Sequence, residues 1–129
     1  MADNLVLLDT SILIDFYRKA DKSKSIWVSL TKRKYQLCVS SITKYEILAG
    51  VTESQSKFWD SVFDLLTVLP FDELTVDTAV IINAKLKRKR KQIHIADLFI
   101  AATAVTQKCP IATLNKKHFD RIESLIIVE

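Results

Sequence analysis

Three carboxylates stand in surroundings where a carboxylate needs a reason: Asp9, Glu46 and Asp97. Asp9 directly follows the apolar run Leu5–Leu8, which reads as a buried strand. It therefore falls at the strand's carboxyl end, where open α/β sheets bind their ligands. The plain alternative is that Asp9 starts a helix, since Asp, Thr and Ser are all good N-caps. Yet Asp9, Thr10 and Ser11 in a row are more caps than one helix needs. Glu46 lies in SSITKYEILAG, about one helical turn past a second apolar run. Helical spacing sets it on a face with Ile42, Ala49 and Gly50, and an ordinary surface glutamate is the competing reading. Asp97 opens the apolar stretch ADLFIAATAV. A helix N-terminus favours an anion by roughly 0.3–1 kcal/mol. A lone carboxylate at the head of a buried helix is costly beyond that, so a cation is the better partner.

Carboxylates converging from separate segments suit a hard divalent cation, Mg²⁺ or Mn²⁺, which retains several waters. Zinc prefers His and Cys sets. His94 and His118 are too few and too far apart to supply one. Divalent ions activate a water and clamp the attacking and leaving oxygens of a phosphodiester, so the expected chemistry is hydrolytic cleavage of such a bond.

Alternating short apolar runs and helix-length segments must position these groups. Strands are expected at Leu5–Leu8, Gln36–Ser40, Thr67–Leu69 (closed by Pro70), Pro110–Thr113 and Leu125–Val128. Helices are expected from Ser11 to about Lys19, capped by Thr10 or Ser11, and from Ser25 to about Arg33. Others should span Thr43 to Gly50, Ser54–Leu66, Thr75 to about Lys91, and Ala96 to about Gln107. Gly50 is expected to end its helix in the left-handed conformation. Strands separated by helices imply an α/β domain with a parallel sheet covered on both faces. Gly50 is the only glycine, which excludes glycine-rich phosphate loops.

The 129 residues fit one domain, 1–129, with 49 % hydrophobic and 26 % charged residues. A net charge of +4 permits a polyanionic partner without requiring one. Cys38 and Cys109 sit in apolar contexts without metal-ligand spacing, so both read as buried core residues suited to a reducing cytoplasm. MADNLVLLDTS lacks the basic start of a signal peptide, and no run approaches the length of a membrane span.

Four segments, LLDTSILID, SSITKYEILAG, IADLFIAATAV and IATLNKKHFDRI, occur in that order over the whole chain. Together they resemble the PIN-domain ribonucleases, and among these the VapC-type toxins of toxin–antitoxin pairs. The resemblance implies a PIN-like three-layer sandwich with a short, mainly parallel sheet. It also implies a Mg²⁺- or Mn²⁺-dependent endoribonuclease, an RNA substrate, a homodimer, and a cognate antitoxin covering the acidic cleft. The family's first, second and third acids fall on Asp9, Glu46 and Asp97, with the hydroxyls of Thr10 and Ser11 beside the first.

The chain departs from the pattern in Thr113-Leu114-Asn115-Lys116-Lys117-His118-Phe119, where Asn115 and His118 hold positions usually acidic. Asn115 offers a carbonyl oxygen without charge, with Thr113 orienting the site. It reads equally as a turn residue. One metal or two is thereby left open. The run KLKRKRK places Lys85, Arg88 and Lys89 on a face with Gln92, and Lys91 beside it. It is either a solvated helix face or a phosphate-gripping patch leading RNA toward Asp97. Two rivals accompany the nuclease reading: a catalytically silent RNA- or protein-binding module, favoured by Asn115, and a Mg²⁺-dependent phosphatase, which lacks its usual DxDxT pattern here.

Overall fold

A computed structural model of the chain describes residues 4–129. The reading of Met1–Asp3 as no part of a signal peptide lies outside the described residues. Four parallel strands, β1 (Leu5–Leu8), β2 (Gln36–Ser40), β3 (Thr67–Leu69) and β4 (Ile111–Ala112), form one sheet in the order β3-β2-β1-β4. Seven helices join them among the described residues: α1 (Thr10–Arg18), α2 (Ile26–Lys32), α3 (Ser41–Gly50), α4 (Glu53–Asp64), α5 (Glu73–Arg88), α6 (Ile95–Thr106) and α7 (Lys116–Phe119).

The two-residue period of a strand divides the core in two. Leu7, Cys38 and Ile111 point to one side, where they meet Ala79, Ile82 and Leu86 of α5 and Ile100, Ala101 and Ala104 of α6. Val6, Leu8 and Val39 point to the other, against Ile12 and Leu13 of α1, Trp27 and Leu30 of α2, and Trp59 and Phe63 of α4. The result is a three-layer α/β sandwich. Because both faces are covered, β1 needs no polar alternation, and Val6, Leu7 and Leu8 are all fully buried. Cys38 and Cys109 are buried and free, as expected. Among the described residues, no helix is long and apolar enough to cross a membrane.

The first three strands run where the apolar runs place them, but other boundaries differ. Asp9 itself caps α1, accepting from the Ile12 N–H, so Thr10 and Ser11 lie inside the helix. The helix after β3 starts at Glu73, behind an Asp72 cap, and stops at Arg88. β4 is two residues long. The carbonyl of Pro110 accepts from Leu7 N before it, and Thr113 turns its hydroxyl out of the ladder toward Asp9. Leu125–Val128 is not a strand. Only Ile127 bridges Ile111, after a buried Leu125 and an exposed Ile126.

Gly50 is not in the left-handed region; α3 simply passes into extended backbone at Val51. That conformation is taken instead by Lys34, Arg90 and Lys108, directly after α2, α5 and α6. At Arg90 and Lys108 the following N–H reaches back to Leu86 and Ala104 carbonyls, closing Schellman-type caps. Cationic side chains at these ends also complement the helix dipoles.

Two substitutions test this arrangement. A Cβ at Gly50 would meet nothing within 4 Å. Gly50→Ala should therefore raise stability by about 0.5 kcal/mol in urea unfolding. Lys108→Gly, which relieves a left-handed lysine, should also stabilise, by about 0.5–1 kcal/mol. A loss of stability in Gly50→Ala would mean that Gly50 is needed for its backbone freedom after all.

Candidate active site

The register of the sheet brings the ends of three strands level, since Leu8 pairs with both Val39 and Ala112. Asp9, Ser40 and Thr113 follow, so the carboxyl edge of the sheet is a row of polar side chains. All three are buried.

Asp9 is the centre of this row and is only 2 % exposed. Its Oδ1 accepts from the Ser11 hydroxyl at 2.5 Å and from Ile12 N–H at 3.3 Å. Its Oδ2 accepts from the Thr113 hydroxyl at 2.6 Å. Those hydroxyls are themselves fixed: Thr113 Oγ1 accepts from Asn115 N–H at 2.8 Å, and Ser11 Oγ from Leu114 N–H at 3.0 Å. The segment after β4 is thus stitched to the start of α1 through one carboxylate. Burial pushes the Asp9 carboxyl above its usual range, against the pull of these hydrogen bonds, and the charge of Asp97 pushes the same way.

Asp97 sits in the first turn of α6, partly exposed, and faces this space. His118 of α7 stands beside it, with Nδ1 3.5 Å from Asp97 Oδ2. Glu46 lies on the exposed side of α3, and its Oε1 accepts from the Thr10 hydroxyl at 2.6 Å. Thr10 Oγ1 lies 3.1 Å from Thr43 Oγ1, and Thr43 N–H is capped by the buried Ser40 hydroxyl at 3.0 Å. Thr10, which follows Asp9 directly, therefore ties Glu46 of α3 to the start of α1.

The structure brings Asp9, Ser11 and Thr113 into one network and sets Asp97 within electrostatic reach of Asp9. Glu46 belongs to a second network beside it, with Thr10, Thr43 and Ser40. Among the described residues, no three His, Cys, Asp or Glu side chains stand close enough to chelate an ion unaided. The donors are nevertheless hard oxygens, and the raised Asp9 carboxyl marks a place where a cation would be favourable, so the residues fit a divalent ion that keeps much of its water. Asn115 contributes its backbone N–H, and its side chain makes no cap bond to α7.

The basic run lies on another face. Lys85 and Lys89 line a groove with Arg121 and Glu123. Lys89 bonds Glu123 and, with the charge of Lys85, lowers its carboxyl. Nearer to Asp9, exposed Lys116, Lys117 and His118 line a recess with Thr113 and Asn115, and Arg18 and Lys19 line its neighbour with Ser11. Sequence reasoning missed these cations. Their signal was the Lys-Lys-His run immediately after Asn115.

A three-layer parallel fold with acids at the carboxyl edge defines a class, and the PIN domain family profile matches residues 6–125. The chain belongs to the PIN-domain family. It is 31 % identical to Ribonuclease VapC1 of Methanocaldococcus jannaschii over 94 % of this chain and 83 % of that protein. Its fold superposes on VapBC-1 of nontypeable Haemophilus influenzae with a TM-score of 0.85, at 24 % identity over 97 % of both chains. It also superposes on VapBC-5 of Mycobacterium tuberculosis, a member of the VapBC family of toxin–antitoxin systems, with a TM-score of 0.70 at 22 % identity over 98 % of both chains.

A raised folded-state pKa means that ionising Asp9 costs the fold stability as pH rises through that pKa. Asp9→Asn removes the charge, while its amide can still accept from Ser11 and Ile12 and donate to Thr113. The metal-free variant should therefore melt several degrees above the parent protein at neutral pH. Added Mn²⁺ should raise the melting temperature of the parent, by about 2.7 kcal/mol worth of stability at a hundred times Kd. It should leave Asp9→Asn unmoved. Differential scanning calorimetry with and without chelator checks both, and a lower melting temperature for metal-free Asp9→Asn would contradict the electrostatic account.

Proposed function

We propose that this chain is a Mg²⁺- or Mn²⁺-dependent endoribonuclease and the toxin of a toxin–antitoxin pair, working in the cytoplasm as a homodimer. The observation that carries the reading is Asp9, a buried carboxylate at the carboxyl edge of the sheet, charge-coupled to Asp97. The ribonuclease name of its relative and the toxin–antitoxin membership of a protein sharing its fold supply the substrate and partner: RNA, and a cognate antitoxin over the acidic cleft.

In this reading Asp9, Asp97 and Glu46 hold the ion, which when bound supplies Lewis-acid polarisation of the phosphate and acidification of a water. The chain's own residues do the positioning. Ser11 and Thr113 hold the Asp9 carboxylate in one orientation, and Thr10 holds Glu46. Asn115 keeps Thr113 aimed by donating its backbone N–H. Lys116 and Lys117 at the recess, rather than Lys85, Arg88, Lys89 and Lys91, are the better-placed grips for RNA phosphates, because Lys89 is engaged with Glu123.

The binding-module reading is favoured by one observation, the absence of a chelating trio among the described residues. Cleavage of a fluorogenic RNA in Mn²⁺, in Mg²⁺ and with chelator separates the two. Asp9→Asn and Asp97→Asn should each abolish cleavage with an unchanged circular dichroism spectrum. Thr113→Val, which frees Asp9 Oδ2, should lower it by about 10–100-fold. Full activity in either Asn variant would sink the assignment.

The two basic faces also make opposite forecasts. Replacing Lys116 and Lys117 with Gln should reduce the slope of log K against log salt by about 0.7 per lost contact on single-stranded RNA. Replacing Arg88 and Lys91 should leave it unchanged, and the reverse result would restore the α5 run as the RNA path.

A further inference from the structure

The positive charge of the chain is gathered at one place. Six of the seven residues from Lys85 to Lys91 are Lys or Arg, while the whole chain has a net charge of only +4, so without this segment it would be acidic overall. One or two cations in the last turn are enough to complement a helix dipole. Further like charges three and four residues apart weaken the helix. Beside this segment the surface is concave. Ile81, Ile82 and Leu86 of α5 line a groove with Ile122, together with Lys85, Lys89 and Arg121. Ile82, Leu86 and Ile122 are buried and form its base, whereas Ile81 is 57 % exposed and both lysines are exposed.

The groove already holds a carboxylate. Glu123, the one acid among its lining residues, accepts a hydrogen bond from Lys89. That bond, with the charges of Lys89 and Lys85, keeps the Glu123 carboxyl below its usual range. Glu123 is exposed, and an exposed ion pair is weak enough for a second carboxylate to replace it. Arg121 gives one N–H to the Gln92 carbonyl, and a guanidinium has five to give. No aromatic side chain lines the groove, so it offers nucleobases no stacking surface. We propose that this groove docks an acidic peptide segment of a protein partner. One aliphatic side chain of the segment enters between Ile81, Leu86 and Ile122. Carboxylates on either side of it meet Lys85 and Arg121 and take Lys89 from Glu123. Desolvation of the anchor supplies affinity, and the charges fix register and speed the encounter. The inference does not depend on the ribonuclease reading, because none of Asp9, Glu46 and Asp97 lines the groove.

The test uses the full-length chain and a fluorescein-labelled peptide, Asp-Glu-Asp-Leu-Asp-Glu-Asp, in anisotropy titrations at low and physiological salt. The parent should bind it, more weakly as salt rises. Replacing the peptide's leucine with serine should weaken binding by about tenfold, and Ile81→Ser should act in the same direction. Lys85→Glu combined with Lys89→Glu should abolish binding with an unchanged circular dichroism spectrum. Glu123→Gln, which removes the internal competitor, should tighten binding by about threefold. Asp60→Asn makes the same change of net charge on an exposed position of α4, and should leave affinity unchanged. Equal binding of the leucine and serine peptides would overturn the proposal, by reducing it to attraction between a basic segment and any acid. Equal effects of Glu123→Gln and Asp60→Asn would overturn it for the same reason. A peptide that fails to bind would also overturn it. If a single-stranded oligoribonucleotide then binds and is lost in the Lys85 and Lys89 double variant, the groove belongs to RNA instead.

Discussion

The structure turns on one carboxylate held almost out of water. Asp9 ends the central strand, begins the first helix and receives the hydroxyl of Thr113 from the end of β4. A buried anion of this kind is tolerable only when its oxygens are filled. Ser11, Ile12 and Thr113 fill them, the first two from the opening turn of α1 and the third from the end of β4. Loosening any of the three would leave both a charge without partners and a loop without its anchor. The orientation of this carboxylate and the local folding are therefore the same set of bonds.

The surrounding hydroxyls extend this logic along the sheet edge. Ser40 caps α3, Thr43 is buried beneath it, and Thr10 spans from α1 to Glu46. Short hydroxyl side chains suit this place because they both donate and accept, so each can satisfy a carboxylate and a backbone N–H at once. Ser11 and Thr113 do so visibly. A longer amide or a cation could not play both parts without opening the packing of β1 against α1 and α2. The alternating faces of β1 and β2 then carry the stability that the acidic edge does not supply.

Much of this was legible before the fold was known, for identifiable reasons. β1, β2 and β3 are short apolar runs bounded by polar residues, a pattern set by burial alone, and they fall where that pattern places them. Asp9 and Asp97 were legible because a carboxylate adjoining such a run or heading an apolar helix is chemically out of place. What eluded the sequence depends on relations between distant segments. Leu125–Val128 has the composition of a strand but pairs through Ile127 alone. Gly50 suggested a left-handed cap, whereas the positions that adopt one are Lys34, Arg90 and Lys108, chosen by how the chain must leave each helix. The pairing of Lys89 with Glu123 and the approach of His118 to Asp97 join residues tens of positions apart, beyond the reach of any local period.

The distribution of the cations gives the acidic edge its character. The chain carries 19 Lys and Arg against 15 Asp and Glu, so ion pairs are easily made. Yet among the described residues the ion pairs are Lys19 with Asp15 and Lys89 with Glu123, while the His118 imidazole stands beside Asp97. No Lys or Arg among them reaches Asp9, Glu46 or Asp97. Lys116, Lys117, Arg18 and Lys19 line two neighbouring recesses together with Thr113, Asn115 and Ser11. A guanidinium placed there would lower the Asp9 carboxyl and steady the fold, but it would also neutralise the charge permanently. Leaving the carboxylates without a fixed cation keeps them available to an exchangeable one. The outlying lysines meanwhile favour the approach of a polyanion. Lysines and arginines beside the acidic edge, none of them paired with Asp9, Glu46 or Asp97, leave room for a cation at the edge and a polyanion next to it.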